Sequence, residues 1–536
     1  MSVKFNTIVP STFVPKPLTS GSQHVIRRRK VEILPVSQTT YQYSGNNRIQ
    51  FNIQSASEFL DCQNSFLRFE LRAYGISATG TDDPFLALAT GGAHALIKQA
   101  IVRLQNGTEI MRIDDYNKWY AMMSNLTQSA EHVDRYGWMY GDSVGRYKQF
   151  DPKRVRPQVT AAYTVDGLQF SGNVEGGAAT LTSRTLPLIP ENMKLTLDVD
   201  DAADPASIAD SVIDPLTGGA NSARVEACNN ASNNSALSET GRILSCNLPL
   251  SIFQLHQFLP LPFIQGGLQL ELVLEDPVRA LCLNEYVAAD GSLPTTPAVD
   301  YSIVTPRYVC QMVQPSEEIM SKYLMKYKEG TLTYPYLKTQ HYLNTNNGSN
   351  GTFSFVMHPN MRSAVLASTI VQNLNANTSG KTANSYDNGY VYDAIGTTIK
   401  AKINSYQYKV GSDNFPDIAV SMPDTYNSEA FAESQRAFGH LGSVLFAPRS
   451  QPRDWWSTNT DSGETDESIR MVMAYDLSRD SSIFSGIDVS VAPFTAEFGT
   501  SAAYQLNSTN ATRYCHTYVV GNAILKISQA GVSVLN

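Results

Sequence analysis

A chain of 536 residues exceeds what one hydrophobic core usually serves, so two domains of roughly 200 to 300 residues are expected. The composition, 42% hydrophobic and only 17% charged, is globular, and a formal net charge of −8 excludes a surface given over wholesale to nucleic acid. The 27 Tyr and 21 Phe against 4 Trp favour β structure over a helix bundle.

Residues 1–30 read as a Pro-, Ser- and Thr-rich N-terminal arm without a strand pattern. Met1 to Pro15 lacks the basic start and apolar run of a signal peptide, and no stretch approaches eighteen consecutive apolar residues, so neither secretion nor a membrane-spanning helix is expected. The arm ends in the only dense basic run, Arg27, Arg28, Arg29 and Lys30. Such a run could neutralise nucleic-acid phosphate or an anionic membrane surface; a solubilising tail that orders against a neighbouring subunit is an equal alternative.

Strand signals follow. Ile49, Phe51 and Ile53 alternate with Gln50, Asn52 and Gln54, and Leu67, Phe69 and Leu71 alternate with Arg68, Glu70 and Arg72. The segment Ile97 to Gln105 runs into Asn106-Gly107 and returns as Thr108 to Ile113, which predicts a hairpin with a type I′ turn. A short helix is expected next, capped by Asp114 with Asp115 in its first turn, and with Tyr116, Trp119, Tyr120 and Met123 on one side. Residues 151–241, rich in Ala, Asn, Ser, Asp and Gly with sparse strand patterning around 178–199, predict a long exposed loop. Leu268, Leu270, Leu272 and Leu274 then alternate with Gln269 and Glu271, with Val273 pointing outward, until Asp276-Pro277 stops the strand.

Ser316 as N-cap, Glu317 and Glu318 in the first turn and Gly330 as the stop predict a connecting helix with Ile319, Tyr323, Leu324 and Tyr327 as its apolar stripe. After it the order of events begins again. Strands are predicted over 332–342, 352–357, 361–371 and 398–410, a helix over 428–441 with Phe431, Phe438 and Leu441 on one face, and strands over 470–477, 489–498 and 514–527.

Catalytic constellations are not found. The histidines His24, His94, His132, His256, His341, His358, His440 and His516 form no HxH or HExxH, and Cys62, Cys228, Cys246, Cys282, Cys310 and Cys515 form no CxxC. No phosphate-binding loop, GxSxG elbow or dinucleotide fingerprint is present. The expectation is therefore no enzyme, no cofactor, no metal site and buried free thiols. Trp455-Trp456 beside Asp461, Glu464, Asp466 and Glu467 keeps one alternative open, a carbohydrate-binding or carbohydrate-active β-sandwich.

Two successive strand sets, each with a helix-like segment midway, resemble double jelly-roll major capsid proteins, those of virophages and polinton-like DNA viruses above all. The residues that carry the resemblance are 47–73 (NRIQFNIQSASEFLDCQNSFLRFELRA), 92–116 (with HALIKQAIVRLQNGTEIMRIDDY), 245–277 (SCNLPLSIFQLHQFLPLPFIQGGLQLELVLEDP), 403–416 (INSYQYKVGSDNFP) and 475–489 (YDLSRDSSIFSGIDV), with Ser485 to Asp488 the most telling. The resemblance implies an all-β chain of two tandem eight-stranded jelly rolls with a few short helices and long surface loops. It divides the chain into an arm (1–30), a first jelly roll (31–315) with its inserted loop, a connecting helix (316–329) and a second jelly roll (330–536). It further implies a homotrimer that tiles an icosahedral shell around double-stranded DNA, with vertex (penton) and minor capsid proteins as partners and the virion as location. In that arrangement the inserted loop faces outward, and Arg27, Arg28, Arg29 and Lys30 face the packaged DNA or an inner membrane.

Overall fold

The computed structural model describes residues 25–76, 85–88, 91–129, 132, 136–137, 139–141, 163–165, 168–170, 228–229, 242–284, 298–347, 353–373, 392–393, 403–422, 428–441, 448, 468–469, 472–479, 485–500 and 512–536. In the first half eight strands make a sandwich: β1 (Val25–Ile33), β2 (Arg48–Ile53), β3 (Phe59–Ile76), β4 (Ile97–Leu104), β5 (Glu109–Asp114), β6 (Arg242–Cys246), β7 (Leu268–Leu274) and β8 (Ala298–Pro315). One sheet runs β1-β8-β3-β6, with the short strands Thr40–Gln42 added on β8 and Cys228–Asn229 on β3, and the other runs β2-β7-β4-β5, with all neighbours among the eight strands antiparallel. Apart from the β4–β5 hairpin, each strand is followed by one in the opposite sheet, which is the winding of a jelly roll.

The second half repeats it with β9 (Leu332–Asn347), β10 (Phe353–Met357), β11 (Ala364–Asn373), β12 (Ile403–Val410), β13 (Asp413–Ser421), β14 (Met473–Asp476), β15 (Phe494–Thr500) and β16 (Thr512–Ser528). Its sheets run β9-β16-β11-β14 and β10-β15-β12-β13, the first order shifted by eight, and β17 (Gly531–Leu535) adds a hairpin to β16. The chain is all-β apart from short helices, as the alternating patterns imply.

The strands form where one face can be dry. Ile49, Phe51 and Ile53 of β2 pair with the leucines of β7, and all are buried. Glu271 departs from the outward placement expected of it. It is 6% exposed because Arg48 on β2 and Arg103 on β4 close over it from both neighbouring strands, at 3.2 and 2.6 Å. The β4–β5 turn also differs from expectation: Gly107 alone is left-handed (φ 88°), and its N–H bonds to the Leu104 carbonyl. A type I′ turn needs two left-handed residues, so this hairpin closes with a glycine bulge instead.

Among the described residues three helices longer than two turns punctuate the strands: α1 (Tyr116–Thr127), α2 (Glu317–Glu329) and α3 (Ser428–Phe438). Helices α1 and α3 follow β5 and β13, equivalent strands of the two sandwiches. The residue preceding α1 is Asp115 rather than Asp114, which ends β5. Helix α2 lies between β8 and β9 and buries Ile319 and Tyr323, while Tyr327 packs 5.0 Å from Phe263; Leu324, expected in the same stripe, points to solvent. Among the described residues no helix is long and apolar enough to cross a membrane.

One further expectation changes. Arg27, Arg28, Arg29 and Lys30 do not lie in an unpatterned arm but within β1, whose backbone pairs with β8 from Val25↔Pro315 to Ile33↔Tyr308. The backbone ladder, rather than apolar alternation, makes this segment a strand. Most of 151–241 lies outside the described residues, the exceptions being the hairpin Tyr163–Val165/Leu168–Phe170 and Cys228–Asn229, which pairs parallel with Ala73 and Tyr74. Trp455, Trp456 and the acidic residues 461–467 also lie outside them.

The segment Ser485 to Asp488 has a physical reason to hold glycine. Ile487 and Ala364 exchange two backbone hydrogen bonds (2.8 and 2.9 Å), and a Cβ on Gly486 would stand 2.4 Å from the Ala364 oxygen. Gly486→Ala should therefore cost about 1–3 kcal/mol through displaced backbone, whereas Gly45→Ala, with nothing within 4 Å, should leave the urea midpoint unchanged; paired denaturation curves check both.

Candidate functional site

Among the described residues the basic run occupies the edge of its sheet, because β1 pairs there only with β8. Its charges are largely spoken for. Arg29 donates Nε and Nη2 to the two carboxylate oxygens of Glu58, each at 2.6 Å, and Lys30 pairs with Glu32 at 3.0 Å. Glu32 also accepts from Arg307 at 2.5 Å, and the hydrogen bonds from Arg307 and Lys30 hold its carboxyl down at about 2. Arg28 lies 3.9 Å from Asp61 and 5.5 Å above the Phe258 ring. Arg27 has no ion-pair partner among the described residues. Any anion met by this strand competes with three carboxylates already in place.

The densest polar chemistry lies elsewhere, where the two sandwiches meet. Helix α1 is buried at every residue from Tyr116 to Leu126, so it has no wet face. Trp119 packs 5.3 Å from Tyr518 on β16 and 5.9 Å from Phe438 on α3. The Tyr336 hydroxyl on β9 donates to the Ile110 carbonyl at 2.8 Å, and the Tyr518 hydroxyl donates to the Asp115 carbonyl at 3.0 Å. Such bonds satisfy polar groups that the junction would otherwise strand.

Enclosing α1 on all sides also buries its polar residues, and all but Asn125, whose side-chain amide has no hydrogen-bond partner among the described residues, find one. Asn117 donates to Glu275 at 2.8 Å within the first sandwich. Lys118, 4% exposed, reaches Asp115 Oδ1 at 3.3 Å and His516 Nε2 at 3.1 Å across the junction. His516 Nδ1 lies 3.1 Å from His341 Nε2 and 3.5 Å from Asp115 Oδ2, and His341 Nε2 lies 3.9 Å from the same oxygen. The two histidines come together because β9 and β16 are paired in the register His341↔Tyr518 and Leu343↔His516.

Burial governs the protonation of this cluster. It holds His341 at about 4 and His516 at about 3, and it holds Lys118 below its ordinary value. For Asp115 burial alone would favour the neutral acid, but the Lys118 charge and the two histidines outweigh it and keep the carboxyl well below the usual range. Side-chain exposures of 13% or less seal the group from solution. Asp115 is one of two described non-glycine residues in left-handed backbone, φ 48°, and its side chain makes no capping bond to α1. Its carboxylate is turned to the histidines instead.

Along the chain these histidines are isolated and no spacing signal joins them, since the cluster depends on strand register and on how the sandwiches dock. The thiols Cys62, Cys246 and Cys310 are buried and free, and burial pushes Cys246 and Cys310 up to about 12, so they are poor nucleophiles.

No family model matches the chain, and no curated protein sequence matches it. Among solved structures, a chain in the 3.5 Å cryo-EM structure of the Sputnik virophage aligns over 97% of this chain and 90% of that chain, with 11% identity and a TM-score of 0.51. The fold is a double jelly roll. The mavirus major capsid protein aligns over 98% of this chain and 93% of that chain (11% identity, TM-score 0.45), and the Faustovirus major capsid protein over 96% and 92% (10% identity, TM-score 0.47). At such identities the likeness is one of fold.

The double jelly roll carries one further buried imidazole, His94, which bonds Tyr116 Oη at 2.9 Å and stacks on Tyr120 at 3.6 Å. Burial holds it neutral down to about pH 3, whereas an unfolded histidine takes up its proton near 6.5. The unfolded state thus binds more protons throughout that window, and stability is complete above pH 6.5 and falls towards pH 3. A His94→Gln variant should lose part of that acid slope; melting temperatures recorded from pH 7 to 4 for both proteins check this.

Proposed function

We propose that this chain is a major capsid protein: three copies join through the flanks of both jelly rolls into a pseudo-hexagonal block, and the blocks tile an icosahedral shell around double-stranded DNA. The observation that carries the reading is the repetition of one complete strand order, β1-β8-β3-β6 with β2-β7-β4-β5, in a single chain. Three such chains around an axis present six similar bodies, which is nearly a hexagon, and a hexagon tiles by repetition. The shared fold with a chain of the Sputnik virophage over 97% of the length supports it.

Association of this kind needs broad flanks rather than a pocket. Val356 on β10 and Ile418 on β13 are 57% and 84% exposed, at opposite edges of one sheet of the second jelly roll, and Val491 is 82% exposed. Vertex and minor capsid proteins are the further partners in this reading, and the virion is the location. The β1 edge faces the packaged DNA or an inner membrane, with Arg27 the residue best able to meet phosphate, because Arg28, Arg29 and Lys30 already have carboxylates.

Light scattering after size exclusion should give three times 58.9 kDa, and negative-stain images should show compact pseudo-hexagonal particles; a monomer at all concentrations defeats the proposal. Retention of the trimer on duplex DNA should weaken steeply with salt, and Arg27→Glu should weaken it further at low salt. Retention that ignores this change removes the inward role of β1.

A further inference from the structure

We propose that Asp115, His341 and His516 form a zinc site that ties the first jelly roll to the second. This inference does not depend on the capsid reading, since it concerns how one chain holds its two halves. His341 Nε2, His516 Nδ1 and Asp115 Oδ2 are mutually 3.1, 3.5 and 3.9 Å apart, so all three lie on a circle of radius about 2.1 Å, the length of a zinc–nitrogen or zinc–oxygen bond. The near-parallel imidazoles, 13° apart with centroids at 5.2 Å, are too far apart for face-to-face contact and instead set their nitrogens side by side.

The chemistry of the donors narrows the ion. Two imidazole nitrogens and one carboxylate oxygen suit zinc or a similar divalent transition metal and are poorly matched to magnesium or calcium, which take oxygen ligands. Three protein ligands leave a fourth position for water. Asp115, in left-handed backbone and with no side-chain bond capping α1, presents Oδ2 to both histidines, at 3.5 and 3.9 Å.

Lys118 stands behind the ligands rather than among them. It touches Asp115 Oδ1 and His516 Nε2, the atoms of those two residues that face away from the proposed ion. Outer partners in this place orient metal ligands.

The test uses the full chain expressed in zinc-supplemented medium, because the cluster is sealed in the folded protein. After dialysis against a weak chelator, elemental analysis should find one zinc per chain, and removal by a strong chelator should lower the melting temperature by several degrees. Cobalt-grown protein should show the visible bands of a four-coordinate nitrogen–oxygen site. Asp115→Asn and His516→Ala should weaken retention at least about tenfold, while His358→Ala, an exposed histidine, should not change it. Absence of stoichiometric zinc in the wild-type chain, or retention that survives Asp115→Asn and His516→Ala, overturns the proposal. Should either variant fail to fold, the wild-type stoichiometry and cobalt spectrum still decide it.

Discussion

The molecule depends on enclosing α1 from every side. A helix between two sandwiches can be apolar throughout or can carry polar residues whose partners lie on both, and α1 does the second. Trp119 supplies apolar area against Tyr518 and Phe438, while Asn117 turns to Glu275 of its own jelly roll and Lys118 to His516 of the other. Burial makes an unpaired charge far costlier than a lost contact. The docking of the two jelly rolls is thereby restricted to the geometry in which those pairs form, and geometry, more than stickiness, distinguishes this junction from a smear of hydrophobic contact.

That restriction explains why the fold was more legible in the sequence than the site. Strands with one wet face announce themselves, as Ile49-Phe51-Ile53 and the leucines of β7 do, and the repeated order of strand, helix and strand pointed to two similar bodies. Strand β1 did not announce itself. Its run of five exposed residues, Ile26 to Lys30, has no apolar alternation, and the segment is a strand through its ladder with β8 and its ion pairs. Helix α1 showed as a helix through Tyr116, Trp119, Tyr120 and Met123, but periodicity reports one dry side and is silent about a second. The Asp115–His341–His516 group is the furthest from legibility, being the product of a strand register and a docking that no local pattern encodes.

The shared fold with a virophage chain at 11% identity fits the same logic. A jelly roll asks for dry and wet faces in the right alternation and for room where backbones cross. Gly486, against the Ala364 carbonyl, is a place where identity matters because nothing larger than hydrogen fits; at most strand positions many apolar side chains of similar volume would serve.

The charged edge of β1 bears on the manner in which copies can meet. An open strand edge is an invitation to the backbone of a neighbour, and uncontrolled acceptance leads to endless zippering. Along β1 that invitation is refused by a fringe of arginine and lysine pinned to Glu32, Glu58 and Asp61. Contact with another chain is then steered away from backbone pairing at this edge and towards side-chain faces of fixed shape.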